Sequence, residues 1–432
     1  MPNHDTVTAR DVLRLYRLNQ SKEHTKLRVA ETKPFYSYID NHNIPILFHF
    51  ITMSLTLSFP ALFLVQLICF ATIPIVVGED YSLKDMYKSL EWEYPDFTIH
   101  DPSSIITVGN KQLIAVTGKA QEDGYDCGIE TWYRRGKGPW RPGQCLFRKK
   151  PSWVPIEAPG NDGAFWAPEL DLKSDGTLTL LYSVSEMNGE EERETTCVGI
   201  ARSVTGLDGF PHRLTWEDAG EPLTCSQSED YSYERSVIDP SVFWGFGENE
   251  NKLFLVTGGG RITGTELDPV TYFQKDGEWL APNSDDWTDL ATGPNRAGDD
   301  NWIEAAYIYP DSRTGYYFLF VNWGSCCRGI DSTYEIRVGR SRNPLGPYVD
   351  KKGRNMMDGG GYLVAKTDGW VIGPGHTGVY KRGNNQLWMT FHYYDRRREG
   401  NSWIGEKRLR FRQGWPHVTK KTSRPFPSNK LD

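Results

Sequence analysis

One short motif recurs five times along the chain, and that recurrence constrains the fold more than any other feature. The five openings are HDPSSIITVGNKQLIAVTG from His100, WAPELDLKSDGTLTLLYSVS from Trp166, IDPSVFWGFGENENKLFLVTGG from Ile238, IEAAYIYPDSRTGYYFLFVNWG from Ile303 and GPGHTGVYKRGNNQLWMTFHYYD from Gly373. Each holds an apolar strand, a turn rich in Gly, Asn or Asp, and a second strand of aromatic and β-branched residues. Three units continue into a third strand, at Val198, Ile336 and Lys407. Aligning the openings superposes Asp101, Ala167, Asp239, Glu304 and Gly375, at spacings of 66, 72, 65 and 71 residues. Units of that size, with almost no helical periodicity, predict an all-β fold, a five-bladed β-propeller over residues 79–418. A β-sandwich is the other all-β option, but it does not predict one motif five times.

In a propeller the first strand of each blade lines the central channel, so equivalent positions face one another around the axis. On this alignment three of the five are acidic: Asp101, Asp239 and Glu304. A carboxylate near the axis is costly unless paired or used. Three together push their pKa values apart, which separates acid from base roles. Hydrolysis of a glycosidic bond needs that set: a protonated acid for the leaving oxygen and an ionised base for water. A lone strand-end Asp is more often a turn cap. A calcium site is a third reading, although no D-x-D-x-D-G loop supports it.

Residues 44–77 contain no Asp, Glu, Lys or Arg, long enough to cross a bilayer, which takes about 20 apolar residues. Residues 1–43 carry seven Lys/Arg against five acidic residues. The segment 44–78 therefore reads as a type II anchor behind a short polar tail. Alternatively, a signal peptide opens at Met53 and ends near Gly78, which makes the protein secreted. A buried core helix is the plain alternative. Six Cys follow this segment: Cys127, Cys145, Cys197, Cys225, Cys326 and Cys327. In an exported chain an even number suggests disulfides. The local pairs Cys127–Cys145 and Cys197–Cys225 are expected, with Cys326 and Cys327 either bonded to each other or reduced. The formal charge of −7 and the lack of a basic block give nucleic acid no purchase. Aromatic side chains, 13% of the chain, offer flat platforms for sugar rings. The polar tail 419–432 reads as disordered, and the protein is expected to be a monomer.

The motifs HDPS at His100, WAPEL at Trp166, IDPSVF at Ile238, TELDP at Thr265, IEAAYIY at Ile303, CCRGIDSTYEIRVGRS at Cys326, GPYVDK at Gly346, GPGHTGVY at Gly373 and FHYYD at Phe391 stand in one order across residues 95–418. The ordered set resembles glycoside hydrolase family 43, and within it the arabinan endo-1,5-α-L-arabinanases. The resemblance implies an inverting glycosidase acting on the α-1,5-linked arabinan of plant cell-wall pectin. It implies that Asp101 is the general base, Glu304 the general acid, and Asp239 the carboxylate that keeps the acid protonated and oriented. His376 matches a histidine that holds an axial calcium, mostly through waters; no organic cofactor is implied. Trp166 is a candidate wall of the sugar pocket, or blade packing. Arg328 is a candidate partner for a sugar hydroxyl or a carboxylate.

The chain departs from the family pattern in places. Glu169 stands where WAPD is usual, and Ala305-Ala306 follow the acid. The segment from Asp123 with its two Cys, and the acidic loop from Ser284, are positioned to narrow an open groove. A narrowed groove predicts an exo-acting α-L-arabinofuranosidase or β-xylosidase. A non-catalytic carbohydrate-binding propeller is the alternative from another class, as is a membrane-bound interaction propeller.

Overall fold

The computed structural model describes residues 98–419 except 122–123, 187–194, 227–235, 274–285 and 295–300, together with four short strands before residue 56. The chain divides into two units, Met1–Asp96 and Phe97–Asp432. In the first, Leu27–Ala30 pairs antiparallel with Thr52–Leu55, and Pro34–Tyr38 with Pro45–His49. The uncharged stretch expected as signal or anchor thus opens with strands. Its remainder, Cys69 and the tail 420–432 lie outside the described residues. No helix among the described residues is long and apolar enough to cross a membrane.

The second unit is the expected five-bladed propeller. Five antiparallel sheets follow one another along the chain, spanning residues 106–145, 166–225, 241–292, 303–365 and 371–418. The innermost strands are Ile106–Val108, Trp166–Leu172, Ser241–Trp244, Ile303–Asp311 and Val371–Arg382. The second strands are the most apolar: Leu178–Ser185 and Leu253–Thr257 are buried throughout. They are covered on both faces because blades pack side by side, which is why they read as continuous apolar runs rather than alternating ones. A hydrophobic cluster fills each of the five blade interfaces. Both local disulfides form, Cys127–Cys145 in blade one and Cys197–Cys225 in blade two. Cys326 and Cys327 are bonded to each other.

Among the described residues each blade is built from one contiguous stretch of chain, and the Ile99 N–H leading into blade one reaches the Ser402 carbonyl of blade five at 3.2 Å. Their apolar cluster, around Ile99, Ile114, Trp132 and Ile404, is the smallest of the five. A buried ion pair supplements it. The Arg134 guanidinium of blade one donates to both carboxylate oxygens of Glu406 in blade five, with only 3% and 10% of the two side chains exposed. Arg134 also lies 4.3 Å over the Trp140 ring, and Tyr380 and Arg382 donate to the same Glu406 oxygen. Truncating one partner of a buried pair leaves the other charge unpaired, typically at a cost of about 3–5 kcal/mol. Arg134→Met is therefore expected to lower the melting temperature by a margin that surface Arg→Met controls do not approach. An unchanged melting temperature would show that the apolar cluster closes the ring alone.

Candidate active site

Five residues around the axis, one per blade, hold the left-handed backbone conformation: Asp101, Ala167, Asp239, Ala305 and His376, with φ between 45° and 54°. None is glycine, so each conformation carries strain, of the kind that gathers at functional sites. The backbone N–H of four of them donates to a polar side chain from the second strand of the preceding blade. Ala167 uses Thr117 (3.0 Å), Asp239 uses Ser183 (2.9 Å), His376 uses Asn322 (3.0 Å), and Asp101 uses His392 of blade five (3.3 Å). Ala305 instead donates to Asp239 Oδ2, at 2.9 Å.

This ring corrects the sequence alignment by one residue in two blades. The true equivalents of Asp101 are Ala305 and His376, not Glu304 and Gly375. The inner strands of blades two, four and five carry an extra residue at this point, seen as shifts in pairing register. A bulge of this kind re-aims side chains, and both the left-handed residue and its predecessor can serve the axis. The preceding positions are His100, Trp166, Ile238, Glu304 and Gly375. Trp166 therefore stands in blade two where Glu304 stands in blade four. Gly375 has no room for a side chain: a Cβ there would lie 2.3 Å from the Tyr334 ring.

Asp101 is the most heavily contacted carboxylate. Its Oδ2 accepts from His100 Nδ1 and from the Thr117 hydroxyl, each at 2.7 Å. Its Oδ1 faces His392 Nδ1 at 3.2 Å and His376 Nδ1 at 3.4 Å. Burial opposes its charge, but His100 and His376 hold it well below the usual carboxylate range. Asp239 is lifted to about 6 by burial, His376 opposing and Asp101 reinforcing the rise. Burial and the neighbouring Asp239 raise Glu304 well above its ordinary value. Glu304 Oε2 accepts from the indole N–H of Trp302 at 2.6 Å. The two shifts run in opposite directions, so one carboxyl is biased toward its charged form and another toward its neutral form in the same cleft, as general base and general acid require.

Arg328 is exposed beside the Cys326–Cys327 disulfide, and its backbone N–H donates to Ser332. Glu169, in place of the usual Asp, is buried and accepts from the Ser104 N–H at 2.9 Å; burial raises it to about 7. The sequence reading overlooked His100, Thr117, Trp302, His392 and Tyr394. His100 and Trp302 lie within two residues of a predicted carboxylate, which was the available signal. Thr117 and His392 share one position on the second strands of blades one and five; His392 and Tyr394 lie within the FHYYD motif, to whose individual residues the family resemblance gives no role.

An all-β propeller with carboxyls biased in opposite directions on its axis is an arrangement that glycoside hydrolysis can use. The sequence profile of glycosyl hydrolases family 43 matches residues 103–416, and the chain belongs to that family. It is 29% identical over 325 residues to the extracellular exo-α-(1→5)-L-arabinofuranosidase ArbA of Cellvibrio japonicus, covering 70% of this chain and 87% of that protein. It is 27% identical over 349 residues to the extracellular endo-α-(1→5)-L-arabinanase 1 of Bacillus subtilis, covering 80% of this chain and 96% of that one. Among solved structures, the GH43 endo-arabinanase from Bacillus licheniformis superposes with a TM-score of 0.61 at 31% identity, over 74% of this chain and 98% of that one.

The order of proton loss is open to direct measurement. In an infrared titration, the carboxylic-acid band lost in Glu304→Gln should persist at neutral pH, whereas Asp101 should show only carboxylate. Trp302→Phe removes a donor that favours the charged form and should move the Glu304 transition further up. A Glu304 that ionises in the ordinary carboxylate range would contradict the assignment of its environment.

Proposed function

We propose that this chain is a secreted, inverting endo-arabinanase that hydrolyses the α-1,5-linked L-arabinan of plant cell-wall pectin. The observation that carries this reading is the contrast of surroundings on the axis: His100 and Thr117 favour the charged form of Asp101, while burial and Asp239 favour the neutral form of Glu304. Glu304 protonates the departing glycosidic oxygen. The Trp302 indole N–H can only donate, so it occupies the unprotonated Oε2 and leaves the acidic proton on Oε1, free for the substrate. Asp101 takes a proton from the water that attacks the opposite face of the sugar. Asp239 supplies the negative charge that keeps Glu304 protonated, and its grip on the Ala305 N–H orients the strand that bears the acid. Trp166 and Arg328 are assigned to substrate contacts at the mouth. Secretion accords with the extracellular labels of the relatives.

The test is incubation of linear arabinan with the full chain and with Glu304→Gln, followed by sizing of the products. Arabino-oligomers from the wild type, with turnover reduced about 10²–10⁴-fold in Glu304→Gln and in Asp101→Asn, are expected. The rate should fall on the acid side as Asp101 takes up a proton, well below its ordinary pKa, and on the alkaline side as Glu304 loses its own. Glu304→Gln should abolish the alkaline limb. An exo-acting reading has support from the relative ArbA, and arabinose as sole product would establish it. Near-normal activity in Glu304→Gln would overturn the mechanism.

His376 is proposed to hold a hydrated calcium. Calcium prefers six to eight oxygen ligands, and the groups around Asp101 are mainly imidazoles, so the protein fits this ion only through waters. Thr377 Oγ1 and His392 Nε2 are buried without protein partners, as atoms that bind ordered water would be. Such an ion would add positive charge beside Asp101 and favour its ionised form. Dialysis against a chelator should lower the melting temperature or the activity, with recovery on adding calcium. Indifference to chelation would leave His376 as a hydrogen-bonding residue alone.

A further inference from the structure

The bonded pair Cys326–Cys327 lies at the start of a line of contacts that ends on the carboxylate assigned as the base. The backbone N–H of Cys327 donates to the Tyr394 hydroxyl at 2.7 Å. That hydroxyl is 2.8 Å from His100 Nε2. His100 Nδ1 is in turn 2.7 Å from Asp101 Oδ2. A carboxylate at Asp101 accepts from Nδ1–H in either charge state of the ring. A neutral imidazole then accepts a hydrogen bond from the tyrosine O–H at Nε2, and an imidazolium donates to the tyrosine oxygen. The ring of His100 is also stacked on that of His392, with centroids 4.1 Å apart, and His392 Nδ1 faces the other oxygen of Asp101.

We propose that His100 and Tyr394 are positioning residues for Asp101, and that the vicinal disulfide sets the geometry of the whole line. The inference rests on the reading of Asp101 as the base. The Oδ2 atom has the shorter contacts, with His100 and Thr117 at 2.7 Å, while Oδ1 faces its two histidines at 3.2 and 3.4 Å, so the aim of Oδ1 depends on how Oδ2 is held. Bonding adjacent cysteines closes an eight-membered ring through their shared peptide, which restricts the backbone of both. Cys327 is held there at φ +66°, a conformation that an unconstrained cysteine rarely adopts. The disulfide thereby aims the Cys327 N–H at Tyr394. The turn it stabilises also packs on the loop that follows Tyr394: a Cβ on Gly400 would lie 2.8 Å from the Ile330 nitrogen. Three blades contribute: four supplies the disulfide, five the tyrosine, and one the histidine and the base.

Misplacement of a reacting group by about 1 Å can cost about 10²-fold in rate. Tyr394→Phe keeps the ring and removes only the hydroxyl. It is expected to lower kcat on arabinan by between about tenfold and about 10²-fold, with KM unchanged. The double variant Cys326→Ser with Cys327→Ser should show the same pattern, and adding Tyr394→Phe to it should cause little further loss, since both break one line. An aryl arabinoside with a leaving group that departs unaided should restore Glu304→Gln but neither of these variants, because their defect lies on the water side. Melting temperatures near that of the wild type would separate positioning from folding. The proposal is overturned if Tyr394→Phe retains full kcat, if its loss is confined to KM, or if the tyrosine and cysteine defects multiply. Asp101→Asn distinguishes the two levels: an active Asp101→Asn would remove the base assignment itself, whereas an inactive one beside a fully active Tyr394→Phe would remove only the positioning role.

Discussion

Closure of the ring between the first and last blades is the constraint on which the site depends. Across that seam the Ile99 N–H meets the Ser402 carbonyl, and side chains supply the rest: a small apolar cluster and the buried Arg134–Glu406 pair with its stacked Trp140. Two of the three imidazoles around Asp101, from His376 and His392, reach it across the same seam. A ring that gaped there would separate the carboxylate from the groups that keep it ionised. Stability and chemistry are coupled at this one interface, while the other four rest on larger apolar clusters.

The second organising feature is the strained ring of left-handed residues. Each such residue costs of order 1–3 kcal/mol and persists only where the surroundings over-determine it. Here the determinant is a polar group of the neighbouring blade, which takes the backbone N–H of the strained residue. Neighbouring blades therefore set one another's geometry at the axis. In blade three the pattern changes: Thr257 donates to the Ile238 carbonyl, and Asp239 itself accepts the Ala305 N–H. That exchange ties the carboxylate beside the acid to the strand that carries the acid. It gives Asp239 a positional as well as an electrostatic influence on Glu304.

The five blades were legible because a propeller repeats one local pattern, and local patterns survive in the sequence. The two local disulfides were legible for a related reason, since each closes a short stretch within one blade. Asp101, Asp239 and Glu304 stood out as acidic residues in recurring openings. Their alignment slipped by a residue because a bulge inserts one position without marking which residue takes it. In blade four the alternatives Glu304 and Ala305 are adjacent, and only the backbone dihedrals separate them.

Sequence alone determined the repeat, the all-β class, the family resemblance and the three carboxylates, because each is written in a run of neighbouring residues. Tertiary structure alone decided which way each carboxyl is biased, since that depends on burial and on imidazoles contributed by blades at opposite ends of the chain. It also brought His100, Tyr394 and Cys327 into one line. These residues are separated by 294 and 67 positions, and a closed ring makes them neighbours because the last blade must lie beside the first.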